Sequence, residues 1–176
     1  MTLQPKRFVV LCPHFAPDIA PTGKVMTQLV SEWASLGHEV HVVTSLPWYR
    51  NHQVEPSWRG RFVRREITQW GTVTRVHPFP AKSKSNLIAR AAAFVAFSVI
   101  AGVCAMFAGG KGRRFSRVDA VIAMSPPLTL GLVGWIVAAV RRTKLIFNVQ
   151  DVFPDAVVKT GAVKNRLLIV LASWLE

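Results

Sequence analysis

Hydrophobic positions change their period several times along the chain, and each change marks an element. Arg7-Phe-Val-Val-Leu-Cys12 is a continuous apolar run without alternation, the pattern of a central parallel strand covered on both faces. Pro17, Pro21 and Gly23 in the loop His14–Lys24 end that strand and permit an unusual backbone. From Val25 the apolar residues Val25, Met26, Leu29, Val30, Trp33, Ala34 and Leu36 recur at helical spacing, and Gly37 supplies the stop. His38-Glu-Val-His-Val-Val-Thr44 reads as the next strand, and so short a crossover implies a right-handed βαβ unit. Residues 45–60 form a long loop rich in aromatic and basic side chains, suited to touching a substrate or headgroups, or else a plain insertion. Phe62–Ile67 and Thr72–His77 read as two short strands around Gly71. Val118–Ala123 and Lys144–Val149 complete the parallel set, and Leu128–Val140, opened by Pro126-Pro127, reads as a buried crossover helix. The order predicts a doubly wound, mostly parallel Rossmann-like α/β sheet in one domain spanning residues 1–176.

One segment does not fit an ordinary sheet-covering helix. Ala91–Gly110 carries no charge and has Ser98 as its only hydroxyl, within an apolar helical block at 86–110. At 1.5 Å per residue it reaches about 30 Å, the thickness of a bilayer core. Three readings stay open: a transmembrane span, an interfacial helix lying in the membrane surface, or a buried helix of the domain. A span would separate two strands of one sheet, and simple burial would leave a polar face that this helix lacks. Basic residues flank it on both sides, Lys82, Lys84 and Arg90 before and Lys111, Arg113 and Arg114 after, which suits shallow insertion among anionic headgroups.

Charge sharpens that picture. The chain has 22 basic against 9 acidic residues, a net +13, and no acid between Glu66 and Asp119. Such an imbalance points to an anionic partner or surface. Nucleic acid is the weaker candidate, because the basic residues surround an apolar run and no recognition helix is evident. A hydrophobic content of 51% excludes disorder. Cys12 and Cys104 form no disulfide framework or metal spacing, so buried free thiols in a reducing compartment are expected. No secretory leader is evident, and a cytoplasmic face is expected.

Candidate chemistry lies at two loops. The backbone amides of Thr22, Gly23 and Lys24 are expected at the open N-terminus of the first helix, where unpaired N–H groups and the helix dipole favour an anion. A P-loop is excluded, since Asp18 and Val25 stand where it needs Gly and Ser or Thr, and Gly-x-Gly-x-x-Gly is absent. The last strand runs into Asn148-Val-Gln-Asp-Val-Phe-Pro-Asp155. A carboxylate just after a parallel strand sits at the crevice where such folds place chemistry. Asp151 is a candidate general base or hydroxyl-orienting group, while Asp155 is suited to capping the next turn; both also fit plain turn roles. His14, His38, His41, His52 and His77 show no metal-ligand spacing and read as ordinary surface or strand histidines.

Phe15-Ala-Pro-Asp-Ile-Ala-Pro-Thr-Gly23 before the helix, Leu36-Gly-His-Glu-Val-His-Val-Val-Thr44 after it, and Asn148–Asp155 resemble the N-terminal half of family 4 glycosyltransferases, in the bacterial colanic acid and O-antigen subgroup. The resemblance implies one half of a GT-B architecture, with the acceptor on this half, the nucleotide-sugar on a C-terminal half, and transfer in the cleft between them. No metal or cofactor is implied; the nucleotide-sugar is a substrate. Thr22, Gly23 and Lys24 match the glycine loop that faces the donor diphosphate, and Asp155 joins the substrate-binding set. Gln150 and Asp151 match the strand end where many relatives carry a His. Membrane-bound polyprenyl-diphosphate acceptors, general in the subgroup, would account for the apolar helix and its basic flanks, with the protein peripheral or monotopic on the cytoplasmic face of the inner membrane. Asn165–Glu176 ends inside a helical pattern, so the donor half is expected to be absent and the chain inactive unless another chain supplies it. The alternative is a non-enzymatic module of the membrane surface that binds anionic lipid.

Overall fold

The computed structural model describes residues 4–80, 87–110 and 117–150. Six strands form one sheet: β1 (Arg7–Leu11), β2 (Glu39–Ser45), β3 (Val63–Thr68), β4 (Gly71–Val76), β5 (Ala120–Met124) and β6 (Lys144–Asn148). Three helices flank it: α1 (Pro21–Ser35), α2 (Leu87–Phe107) and α3 (Thr129–Val140). The strand order is β3-β4-β2-β1-β5-β6. All neighbours are parallel except β3, which runs antiparallel to β4. The expected elements that fall on the described residues are present in the expected order, with a short 3₁₀ turn at Pro56–Trp58 inside the long loop, while the helical pattern of Asn165–Glu176 and the flanking Lys82, Lys84, Lys111, Arg113 and Arg114 lie outside the described residues.

Both faces of the central strands are buried, which explains their unbroken apolar runs. Val9, Leu11, Val43, Val121 and Ala123 pack with Phe97, Ala101, Ala105, Leu130 and Val137 of α2 and α3. Val10, Cys12, Val40, Val42, Ile122 and Met124 pack on the other face with Met26 and Val30 of α1. Each fully buried Val, Leu, Ile, Phe or Met among them contributes about 1.5–3 kcal/mol of transfer free energy before entropy is subtracted. Burial pushes the Cys12 thiol up to about 12, against the opposing pull of Thr44 and Arg75, so Cys12 behaves as a small core hydrophobe.

Glycines set the closest approaches. A Cβ on Gly134 would lie 2.8 Å from that of Ala123, and one on Gly131 would lie 2.7 Å from the Phe147 ring, so α3 rests almost directly on β5 and β6. Gly71 closes the β3–β4 hairpin opposite Thr68, at φ +148, and a side chain there would collide with the Val40 carbonyl.

The apolar helix α2 lies against β1, β2, β4 and α3. Phe97, Ser98, Ala101 and Ala105 form its buried side, continued by Ala108 just past its end. Its single hydroxyl is used there, Ser98 Oγ sharing a hydrogen bond with Thr129 Oγ1 at 2.7 Å. Arg141 closes the far end, donating to the carbonyls of Ala105 and Ala108 at 2.7 and 2.9 Å, where a helix C-terminus favours a cation. The opposite side of the same helix is an exposed apolar stripe of Ile88, Val95, Val99, Val103 and Phe107, Ile88 being 83% accessible.

Candidate active site

The loop between β1 and α1 is held from several directions. Ser45 Oγ donates to the Pro13 carbonyl at 2.6 Å. Thr27 Oγ1 accepts from the Ala16 amide at 3.0 Å and donates to the Gly23 carbonyl at 2.7 Å. Arg75, only 3% accessible, reaches from β4 to the Ala16 carbonyl at 2.5 Å while its Nε bonds Glu66 at 3.1 Å. Gly23 itself is buried at the start of α1, and a Cβ there would lie 2.9 Å from the His14 Cβ and 3.1 Å from the His14 carbonyl carbon. Its missing side chain is what lets the first turn of the helix press against His14.

That packing presents His14 beside Asp18. His14 Nδ1 lies 2.7 Å from Asp18 Oδ2, and the other carboxylate oxygen accepts from the amides of Ile19 and Tyr49 at 3.0 and 3.2 Å. The Asp18 side chain is 1% accessible, so its charge is balanced by these donors rather than by water. A carboxylate only accepts, so a ring proton belongs on Nδ1, and in the neutral imidazole Nε2 is then the acceptor. No described residue is hydrogen-bonded to Nε2. The imidazole stacks on Trp48 at 5.7 Å and meets the edge of Tyr49 at 5.4 Å. His52 lies 6.3 Å from each of those two rings.

These residues line one cleft of about 530 Å³, walled by Pro13, His14, Thr22, Trp48, Tyr49, His52, Pro78, Arg90, Phe94 and Pro126. It collects the segments that follow the carboxyl ends of β1, β2, β4 and β5, together with the first turns of α1 and α2. Ligands of open α/β sheets bind at this pole. A larger hollow of about 790 Å³ lies at the opposite pole among Arg7, Glu39, His41, Thr72 and Gly71. Within it Arg7 pairs with Glu39 and His41 bonds Thr72, and we assign the chemistry to the smaller cleft on position.

The expected site residues separate on this frame. Thr22 lines the cleft; Gly23 lies behind it as a spacer; Lys24 is exposed. The Lys24 amide is not open, because it donates to the Ala20 carbonyl at 3.0 Å, a helical bond formed because α1 already begins at Pro21. Gln150 follows β6 at the same pole, its amide on Ser125 Oγ at 3.2 Å and its side chain on Asn148 at 2.7 Å. Asp151 and Asp155 lie outside the described residues. His14 was read from the sequence as ordinary, and the structure gives it a buried carboxylate partner and a cleft. The signal available was the spacing His14-x-x-x-Asp18 in a loop after a central strand. His52 and Arg90 join the cleft only through the tertiary fold. Among the described residues no group of His, Cys, Asp and Glu is arranged to hold a metal ion.

Comparison with known proteins agrees with this architecture. The chain is 26% identical, over 151 residues, to the Escherichia coli (strain K12) protein named as the colanic acid biosynthesis glycosyl transferase WcaI; the match covers 84% of this chain and 35% of that protein. Its fold superposes on sucrose-phosphate synthase from Thermosynechococcus elongatus with a TM-score of 0.53 at 15% identity, over 93% of this chain and 36% of the other. The chain therefore spans about a third of the length of either protein. At so low an identity the synthase bears on the fold alone, a Rossmann-like α/β domain that corresponds to one half of a GT-B architecture. The model of the glycosyl transferase 4-like domain family matches residues 22–176, and the chain belongs to that family.

Proposed function

We propose that this chain is the acceptor side of a GT-B glycosyltransferase, which moves a sugar from a nucleotide-sugar to a lipid-linked or cell-envelope polysaccharide acceptor. The observation that carries the reading is the cleft at the carboxyl pole, where an aromatic wall, one arginine and the first turn of α1 converge in a chain of this family. In this reading the amides of Thr22 and Gly23 face the donor diphosphate, and Lys24 adds charge nearby. Gln150 and Asp151, after β6, act on the reacting groups, and Asp155 contributes to substrate binding. The nucleotide-sugar itself is held mainly by a donor-binding half, in this polypeptide or in a partner chain.

The exposed stripe of α2 favours a peripheral or monotopic position on an anionic membrane, at the cytoplasmic face of the inner membrane. It also supports a second reading, a membrane-surface module without catalysis. Both are tested in membranes from the protein's own cells, which supply the donor-binding half, prepared with and without this chain, given radiolabelled nucleotide-hexoses and extracted for labelled lipid. Incorporation above membranes lacking the chain is expected. A chain found in the membrane fraction with no incorporation from any donor would leave the second reading standing and the first overturned.

A further inference from the structure

We infer that His14, held by Asp18, reads a hydroxyl group of the acceptor saccharide whose ring lies against Trp48 and Tyr49. The inference rests on the proposed function for the word acceptor, but the site is argued from its own geometry. Three observations converge. With the neutral ring, the 2.7 Å contact from Nδ1 to a carboxylate oxygen makes Nε2 a hydrogen-bond acceptor, and acceptors of this kind need a ligand that donates. The carboxylate cannot swing away, because its second oxygen holds the amides of Ile19 and Tyr49. The ring's faces and edges are fixed by Trp48 and Tyr49, so the lone pair keeps one direction at the wall of the cleft.

The surroundings select the class of ligand. Aromatic side chains with proline walls offer apolar faces to the C–H side of a pyranose, while the polar groups are few and separate: Nε2 of His14, the Thr22 hydroxyl, His52 and Arg90. A saccharide supplies hydroxyl donors around an apolar ring face. An anion alone would have no use for a lone pair aimed at it, and a purely apolar ligand would leave it unpaired.

The test uses octyl pyranosides of glucose, galactose, mannose and N-acetylglucosamine, with their monodeoxyfluoro analogues. Fluorine keeps the size of a hydroxyl but cannot donate. Binding to the purified chain is followed by NMR near pH 8, where imidazole is ordinarily neutral. The wild-type chain is expected to bind at least one parent glycoside, and to lose about tenfold in affinity for the analogue fluorinated at the position read by His14. His14→Phe, which keeps a ring against Trp48 but has no acceptor, is expected to weaken the parent while leaving the fluorinated analogue unchanged, so that the discrimination disappears. Asp18→Asn keeps an oxygen for the two backbone amides but presents an amide donor to Nδ1, which moves the ring proton to Nε2. It should therefore abolish the discrimination with the fold intact, and ring nitrogen spectra should record the reversed tautomer.

Discrimination that survives in the His14 variant, absence of binding by every parent glycoside, or a wild-type ring protonated on Nε2 would overturn the assignment. Sugar transfer in membranes that is indifferent to His14 would overturn it while leaving the proposed function in place. Hydroxyl discrimination without any transfer would do the reverse, leaving a saccharide site that is not part of a transferase.

Discussion

At the scale of single residues, Gly23 carries a prediction against intuition. Alanine is favoured over glycine within a helix by about 1 kcal/mol, so Gly23→Ala should stabilise α1 on propensity alone. The added Cβ would meet the His14 Cβ at 2.9 Å and the Phe15 nitrogen at 3.3 Å, and those atoms belong to a loop tied down by Ser45, Thr27 and Arg75. The clash should outweigh the propensity, giving a net loss of about 1–2 kcal/mol in denaturant unfolding together with shifted His14 resonances. His41 carries the second. It is 3% accessible, and burial holds its imidazole below the ordinary range, with Glu39 acting in the opposite direction. Its unfolded form binds a proton more readily than its folded form, so stability is complete above about pH 6.5 and falls as pH drops through the depressed folded value. The melting temperature should decline on acidification from pH 7 to 5, and the decline should be shallower in His41→Asn, which can still bond Thr72. The glycine loop could be found in the sequence because glycine between proline and an apolar helix is a local signal. His14 and His41 could not, since both look like solitary histidines until a carboxylate four residues away or a threonine on the neighbouring strand closes on them.

At the scale of elements, period was enough wherever only one arrangement could satisfy it. Runs such as Arg7–Leu11 and Ala120–Met124 are apolar at every step after their first residue, and a strand with both faces covered accounts for that. The helix α2 was ambiguous for the converse reason. Its buried side, Phe97, Ala101 and Ala105, and its exposed side, Val95, Val99 and Val103, have the same chemistry, so no moment in the sequence distinguishes sheet from solvent. Only the small residues on the inner face hint at the answer, since alanine and Gly102 allow close approach to the sheet and to Val133. The exposed stripe is therefore not required by the fold. Replacing Val95 and Val103 together by Asp, at sites that are 49% and 51% accessible, should change unfolding free energy by less than about 1 kcal/mol. The same double variant should lose most of its affinity for vesicles, because carboxylates would be forced against the headgroup region and its anionic charge. Sedimentation with liposomes measures the second effect and calorimetry the first; a stripe needed only for folding would give the opposite pair of results.

For the whole molecule, the proposed membrane contact would draw separable contributions from the charge and the stripe. A net charge of +13 is long-ranged, but it is screened over about 10 Å at 0.1 M salt and about 3 Å at 1 M. Each basic residue near an anionic surface adds about 1 kcal/mol at low salt, and that share should fade as salt is raised. Burial of Ile88, Val95, Val99, Val103 and Phe107 against lipid does not depend on screening, and salt that strengthens apolar association leaves it intact or larger. Binding to vesicles of phosphatidylcholine and phosphatidylserine should therefore fall with salt to a plateau rather than to zero. Neutral phosphatidylcholine vesicles should show only the plateau, and the Val95→Asp, Val103→Asp chain should show only the salt-sensitive part. A steady decline to nothing in the wild type would assign the contact to charge alone and remove α2 from it. The geometry gives the plateau a consequence for the cleft. Arg90 and Phe94 line the cleft, while Ile88 and Val95 of the same helix belong to the stripe, so a membrane that takes up the stripe lies within a turn or two of the cleft mouth. An acceptor anchored in that membrane could reach His14 and Thr22 without leaving the bilayer, which a water-soluble acceptor would not require.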